Sequence, residues 1–210
     1  MIHIQDLGQN LDFQNTWEMQ ENLVRQRQSG AIEDRLLLLE HAPVYTIGRT
    51  RDQSSLRDPA QLPHPLVAIN RGGQGTYHGP GQLTGYAIID LNNYGRDLHL
   101  HLRRLEEVLI QLLALHGVEA TRRKSLTGVW MGSKKIASLG VGVRKWVSMH
   151  GFAINITAES LPPFFHITPC GIDGVSMTSL ESETGKAPDM NLIKKQCGEI
   201  MNEVFLQMTC

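Results

Sequence analysis

A cysteine set in a turn is the first candidate for chemistry in this sequence. Cys170 stands between Pro169 and Gly171, which places its thiol on a turn rather than inside a core strand. A free thiol has a pKa of about 8.5, so only a small fraction is thiolate at neutral pH, and a nearby cation would raise that fraction. From these residues alone, Cys170 is either an inert turn residue or a nucleophile.

A lysine at the start of an apolar strand is the second candidate. Lys134 and Lys135 follow a tight turn at 132–133. The pattern Lys135, Ala137, Leu139 predicts one strand face on which Lys135 has small or apolar neighbours that partly bury its ammonium group. Only one of the two lysines can follow that inward face. Two interpretations stay open: a partly buried Lys135, or two ordinary turn lysines.

The densest signal is a glycine-rich segment at 71–86, which reads RGGQGTYHGPGQLTGY between two strand-like apolar runs. Glycine reaches positive φ and lets a ligand approach main-chain N–H groups, so such a loop is typical of a binding site. The side chains of Arg71, Tyr77 and His78 favour that interpretation. The alternative is a strained hairpin that binds nothing.

Common nucleotide and hydrolase motifs do not fit the sequence. The lysine that a P-loop requires is missing from the glycine-rich segment, and Gly73, Gly75 and Gly79 miss the dinucleotide fingerprint by one residue. No G-x-S-x-G motif occurs, so a serine hydrolase has no support.

The nine histidines do not predict a metal site. His99 and His101 are two residues apart in a predicted helix, so they point to different faces. His78, His150 and His166 lack cysteine or carboxylate companions at the spacing of metal ligands. We therefore expect no bound metal.

Length and composition predict a single domain over residues 1–210. A net charge of −1 gives no indication of nucleic acid or an anionic membrane as a partner. The basic run 122–124 is read as a solvated turn, with an acidic protein partner as the alternative. No signal-peptide pattern or long apolar stretch is seen, and three widely spaced cysteines suggest a reducing compartment, so we expect a cytoplasmic protein.

Hydrophobic periodicity predicts an α+β fold, because helices interrupt a strand-rich middle that has short, meander-like connections. Residues 49–65 are polar and predict a mobile surface loop. Helices are expected from about 11 to 30, over 97–116 and over 190–206. Strands are expected at 2–7, 35–41, 44–48, 66–71, 84–91, 128–131, 135–143 and 152–156.

Four segments in order resemble the lipoyl(octanoyl) transferases of lipoate biosynthesis, within the biotin/lipoate ligase-like superfamily. They are the glycine-rich segment, KIASLG at 135–140, HGFAIN at 150–155, and PCGI at 169–172 followed by Thr-Ser-Leu at 178–180. The segment LEHAPVYTIGR at 39–49 resembles the part that precedes the glycine loop in that family. The likeness covers residues 35–180.

The resemblance implies a mixed, mostly antiparallel β-sheet flanked by helices, similar to the catalytic domain of biotin and lipoate ligases. It implies transfer of an octanoyl group from octanoyl-acyl carrier protein to a lysine of a 2-oxoacid dehydrogenase E2 lipoyl domain or of the glycine-cleavage H protein, without a cofactor. Cys170 would form an acyl-thioester, and Lys135 would lower the pKa of its thiol. The implied substrate-binding residues are Arg71, Gly72, Gly73, Gln74, Gly75, Thr76, Tyr77, His78, Ser138, Leu139, Gly140, Gly151, Phe152 and Ala153.

Finer expectations follow from that chemistry. Leu139, Phe152 and Ala153 would pack on the acyl chain, and His78 would hydrogen-bond near the cysteine–lysine pair. Backbone N–H groups near Gly140 or the cysteine would hold the oxyanion.

Two rival functions share parts of this pattern. An ATP-dependent lipoate or biotin ligase forms an adenylate and needs no nucleophilic cysteine. A non-catalytic module would bind the acylated carrier without turnover. The transferase remains the first prediction, because attack of an amine on a thioester runs downhill without ATP.

Overall fold

Two β-sheets and the helices around them make up the fold seen in the computed structural model, which describes residues 1–49, 53–168, 174–186 and 188–207. The predicted nucleophile Cys170, together with Pro169, Gly171 and Ile172, lies outside these residues. The helices are α1 (Phe13–Gln28), α2 (Leu98–Leu115), α3 (Leu180–Thr184) and α4 (Met190–Gln207). The strands are β1 (His3–Leu11), β2 (Arg35–His41), β3 (Val44–Ile47), β4 (Leu66–Ala68), β5 (Thr76–His78), β6 (Gln82–Ile88), β7 (Val129–Met131), β8 (Lys134–Arg144) and β9 (Val147–Asn155).

The larger sheet has the strand order β1-β2-β6-β9-β8-β7, and the smaller one has the order β4-β3-β5. Within the larger sheet only β1 and β2 run parallel; the other neighbours are antiparallel. In the smaller sheet β3 is parallel to β4 and antiparallel to β5. The predicted mixed, mostly antiparallel α+β fold is confirmed.

The main core lies between the larger sheet and the helices α2 and α4. Apolar residues of α2 recur every three or four positions, so they form one buried stripe that packs on the sheet. Alternate residues of the strands face this core, and the residues between them in β6, β9 and β8 face α1 and the glycine-rich segment.

The described part of the predicted surface loop, 53–65, is mostly exposed but carries ordered elements. Short 3-10 helices occupy Gln53–Ser55 and Pro59–Gln61, and Ser55 and Leu56 are buried. The Ser55 hydroxyl accepts a hydrogen bond from the N–H of Gly75, so this segment supports the glycine-rich loop.

A buried carboxylate on α2 anchors the loop between α2 and β7. Glu106 has no exposed side-chain area and accepts hydrogen bonds from Arg103 at 2.5 Å, from Arg122 at 3.2 Å and from the N–H of Gly128 at 2.9 Å. The loop that Glu106 holds, 121–128, reaches the cavity described below.

We predict that Glu106→Ala lowers the free energy of unfolding by about 2–4 kcal/mol, because a buried N–H and two guanidinium groups lose their acceptor. Urea unfolding monitored by circular dichroism measures the change. The control is Glu199→Ala, which removes an exposed carboxylate 4.0 Å from Lys195 and should change stability by less than about 0.5 kcal/mol. Equal effects of the two variants would contradict this role for Glu106.

Candidate active site

A cavity of about 250 Å³ lies between the larger sheet and the glycine-rich segment. It brings together Lys135 and all of the predicted substrate-binding residues except Gly72 and Tyr77. Most of the surface of its walls is apolar. Such a cavity suits an elongated apolar ligand with one polar end.

The floor of the cavity is made of unusually small residues on three neighbouring strands. Gly151 of β9 pairs with Tyr86 of β6 on one side and with Gly140 of β8 on the other. Two residues along, Ala153 pairs with Ser138 on β8. Because residues two apart share a face, glycine, alanine and serine together leave a groove above the sheet.

An extra residue in β8 puts Lys135 on the cavity face. Val129 pairs with Ala137 whereas Trp130 pairs with Lys135, so Ile136 is bulged out of the register. Ile136 and Ala137 are consecutive and both belong to the main core. The predicted sharing of one face by Lys135, Ala137 and Leu139 is therefore wrong, because the bulge shifts the alternation by one residue.

Lys135 is buried and Lys134 is exposed, so the first of the two sequence interpretations holds. Lys135 is 3% exposed, with Nζ 5.6 Å from the centroid of the Trp130 ring. Its side chain passes over Gly128, where an added Cβ would lie 2.6 Å from Lys135 Cε. Lys134 instead forms an exposed ion pair with Glu183 at 3.0 Å.

The residues before and after the segment that contains Cys170 are hydrogen-bonded beside the cavity. The N–H of Thr168 donates to the carbonyl of Ser55, close to the glycine-rich loop. On the C-terminal side of Cys170, the carbonyl of Ser176 accepts a hydrogen bond from the N–H of Lys135, and the N–H of Thr178 donates to the carbonyl of Lys135, each at 2.9 Å. The backbone of Lys135 is thus tied to the segment that follows Cys170.

Arg71 is a buried cation at the opposite end of the floor. Its guanidinium donates to the carbonyl and hydroxyl of Thr46 and to the carbonyl of Gly72. Its side chain lies over Gly140, where an added Cβ would meet Arg71 Cδ at 3.0 Å. No carboxylate of the described residues pairs with it, and burial lowers the pKa of Arg71 to about 10, so it stays charged at neutral pH.

A directional chain of hydrogen bonds connects Arg71 to the segment after the cysteine. Thr46 accepts from Arg71 and faces His78 Nε2, and His78 Nδ1 donates to Gln82 Oε1 at 2.9 Å. The Gln82 amide donates to Asn155, whose own amide donates to the carbonyl of Thr178. Every donor in the chain therefore meets an acceptor.

These hydrogen bonds determine the protonation and orientation of the His78 ring. Burial, with the nearby His41 and Arg71 in support, holds the pKa of His78 well below its usual value, so the ring is neutral. Both ring nitrogens are engaged, by Gln82 and by Thr46. The expectation that His78 hydrogen-bonds near the cysteine–lysine pair stays a prediction, because Cys170 lies outside the described residues.

Gly72 and Tyr77 do not line the cavity. On the short strand β5, Thr76 and His78 face the cavity, and alternation turns Tyr77 away from it. The Tyr77 ring packs against Tyr45 and Phe164, with centroids 5.3 and 5.9 Å apart. Gly72 acts through its backbone: its N–H donates to Val141 and its carbonyl accepts from Arg71.

Sequence reasoning missed several lining residues. Tyr86 and His150 stand inside the quoted family segments, and their proximity to Gly85 and Gly151 was the available signal. His150 has a φ of +61°, a costly conformation for a non-glycine residue, held by the Gln20 side chain and by Asn70. The others carried no local signal, because distant parts of the chain bring them in: Phe13, Ile69, Ser125, Leu126, Thr127 and Phe164.

Within the described ranges, no group of three or more His, Cys, Asp or Glu side chains is arranged to hold a metal ion. No helix in that same part of the chain is both long and apolar enough to cross a membrane.

The model of the lipoyl protein ligase A/B catalytic domain matches residues 12–202. The octanoyltransferase of Geobacter sulfurreducens is 51% identical over 177 residues, which cover 84% of this chain and 74% of that protein. The chain belongs to the octanoyltransferases of the lipoyl protein ligase A/B family. The resemblance stated from the sequence is confirmed, and the protein is an acyltransferase.

Solved structures agree with this fold at low sequence identity. Protein Ta0514 of T. acidophilum, with bound lipoic acid, has a TM-score of 0.76 at 14% identity over 97% of this chain and 84% of that one. A bipartite lipoate protein ligase of Thermoplasma acidophilum, studied with its E2 lipoyl domain, has a TM-score of 0.58 at 15% identity over 99% and 81%.

We predict that Gly128→Ala lowers the octanoyl-transfer rate of the enzyme roughly 10- to 100-fold, because its Cβ would displace Lys135 from the cavity. The variant is also less stable, because Gly128 has φ +141° and the Cβ would lie 2.9 Å from the carbonyl oxygen of Ala137. The rate is measured well below the unfolding temperature. The control is Gly117→Ala, which has φ +74° and open space around the new Cβ. It should cost about 1 kcal/mol of stability and leave the rate near wild type. Normal activity of Gly128→Ala would contradict the placement of Lys135.

Proposed function

We propose that this octanoyltransferase acts in lipoate biosynthesis through an octanoyl-thioester on Cys170, with residues 1–210 as one catalytic domain. The donor would be octanoyl-acyl carrier protein, and the acceptor a lysine of a lipoyl domain or of the glycine-cleavage H protein. The observation that carries the proposal is the burial of Lys135 at one end of an apolar groove, tied by its backbone to the segment after Cys170.

The groove supports the acyl half of the proposal. A small-residue floor and apolar walls favour an unbranched alkyl chain, and each methylene removed from water contributes about 0.8 kcal/mol. Lys135 lies at the end bordered by Ser125 and Thr127, which are exposed. A thioester carried by a partner protein would enter from that side.

The first half-reaction forms the acyl-enzyme. Lys135, as an ammonium ion, stabilises the thiolate of Cys170, which attacks the carbonyl carbon of the octanoyl thioester. The bond from that carbon to the carrier's sulfur breaks, and the departing thiolate takes a proton from Lys135. Octanoyl-Cys170 and a neutral Lys135 remain.

The second half-reaction transfers the acyl group to the acceptor. The neutral amine of the acceptor lysine attacks the thioester carbon, and Lys135 takes the proton that the new amide nitrogen must lose. The bond between the carbon and Cys170 sulfur breaks, which restores the thiolate and the ammonium. The balance is one thioester and one amine converted to one amide and one thiol, without ATP.

The oxyanion of either step would be held by backbone N–H groups near Gly140 or near Cys170.

The acceptor assignment has independent support. An archaeal lipoate protein ligase of the same fold is described with its E2 lipoyl domain. The shared fold supports an acceptor of this class for the present chain.

We predict that brief incubation with octanoyl-acyl carrier protein adds one octanoyl group to the wild-type enzyme, without ATP, and none to Cys170→Ala. The measurement is intact-protein mass spectrometry. Cys197→Ala is the matched control: this thiol is buried on α4, and burial raises its pKa to about 12, so it is unreactive.

An adduct on Cys170→Ala, or transfer that requires ATP and free octanoate, would contradict the thioester route. The second result would favour a ligase.

A further inference from the structure

We propose that Phe13 and Tyr86 form the stop that sets the length of the acyl chain, with His41 as the residue that positions Tyr86. This inference rests on the proposed function, because it concerns the far end of the same groove. None of these three residues is among the substrate-binding residues that the sequence predicts.

The strand register distinguishes the end of the groove at Lys135 from the end at Tyr86. Lys135 marks the reacting end, and Gly140 lies about 13 Å further along β8, four regular steps of roughly 3.3 Å because Ile136 is bulged. Gly140 pairs with Gly151, and Gly151 pairs with Tyr86, so Tyr86 stands at the end of the groove away from Lys135, in the row next to that of His150. An extended eight-carbon chain, on the order of 10 Å long with bonds near 1.5 Å, spans most of that interval.

The small-residue floor ends at a wall of buried rings. Phe13, at the start of α1, and Tyr86 both line the cavity, and each is less than a twentieth exposed. The Phe13 ring lies 5.0 Å from the ring of His41, which in turn lies 5.7 Å from the ring of Tyr86. Three rings from three separate elements therefore close against one another behind the last glycine of the floor.

His41 holds this wall in one geometry. Burial lowers the pKa of His41 to about 4, so its ring is neutral at physiological pH. Nδ1 lies 3.1 Å from the carbonyl of Leu11, which can only accept, so the ring proton is on Nδ1. Nε2 is then an acceptor, and the Tyr86 hydroxyl donates to it at 2.5 Å.

A stop of this kind discriminates by steric exclusion. The methylene beyond the eighth carbon would have to displace a ring that packs on two neighbours and is tied by a hydrogen bond. A misfit of one or two methylenes in an apolar pocket changes specificity roughly 10- to 200-fold. Shorter chains would fit but would leave part of the groove unfilled.

The test is a series of acyl-acyl carrier proteins with 6, 8, 10, 12 and 14 carbons, assayed for transfer to a lipoyl domain as kcat/KM. Phe13→Ala should raise the ratio of the 12-carbon to the 8-carbon substrate at least about 10-fold relative to wild type. Ala153→Val, which raises the floor midway, should shift the preference towards 6 carbons. Phe165→Ala is the matched control, since Phe165 is 74% exposed and outside the cavity, and its profile should match wild type.

The positioning role of His41 has its own readout. His41→Ala should broaden the chain-length profile, whereas His41→Gln, whose amide can donate to Leu11 and accept from Tyr86, should restore the 8-carbon preference. A merely structural role would change stability in both variants and leave the profile unchanged.

An unchanged profile in folded Phe13→Ala overturns the proposal; if that variant does not fold, Phe13→Leu decides in the same way. A wild-type enzyme that transfers no acyl chain at all would contradict the proposed function instead, so the two failures are distinguishable.

Discussion

The single bulged residue in β8 is the constraint on which the site depends. Without the bulge at Ile136, strict alternation from Ala137 would turn Lys135 into the main core, among side chains that cannot compensate its charge. With the extra residue, the ammonium group reaches the polar end of the groove while the core face of β8 stays apolar. The bulge thus turns one charged side chain of β8 to the cavity without placing a charge in the core, and bulges are frequent next to active sites for this reason.

The groove itself exists because the central strands carry small side chains on the cavity face. Gly140, Gly151 and Ala153 leave space on that face, while the neighbouring residues that point to the other face fill the core. The space is kept open by buried polar groups whose hydrogen bonds are satisfied in sequence from Arg71 to Thr178. Buried polar chains of this kind are costly when broken, so they hold the glycine-rich loop and the segment after the cysteine in fixed relation.

The sequence predicts the helices and strands better than it predicts which side of a strand faces the cavity. Helices such as α2 and α4 follow from a 3.6-residue period, which survives any tertiary context. The bulge at Ile136 has no such signature, so the pattern wrongly predicts that Lys135 shares a face with Ala137. The glycine-rich segment predicts Tyr77 as a substrate-binding residue, whereas alternation on β5 turns its ring away from the cavity. Phe13 and Tyr86 meet only through the sheet register and the packing of α1, which no local pattern records.

The central claim is that one octanoyl group rests on Cys170 between two protein partners. The most direct test isolates the acyl-enzyme free of donor and mixes it with a lipoyl domain in a rapid-quench experiment without ATP. The account predicts that the octanoyl group moves to the acceptor lysine at least as fast as steady-state turnover. Discharge slower than turnover, or none, would mean that the acyl group passes directly from donor to acceptor, and would contradict the account.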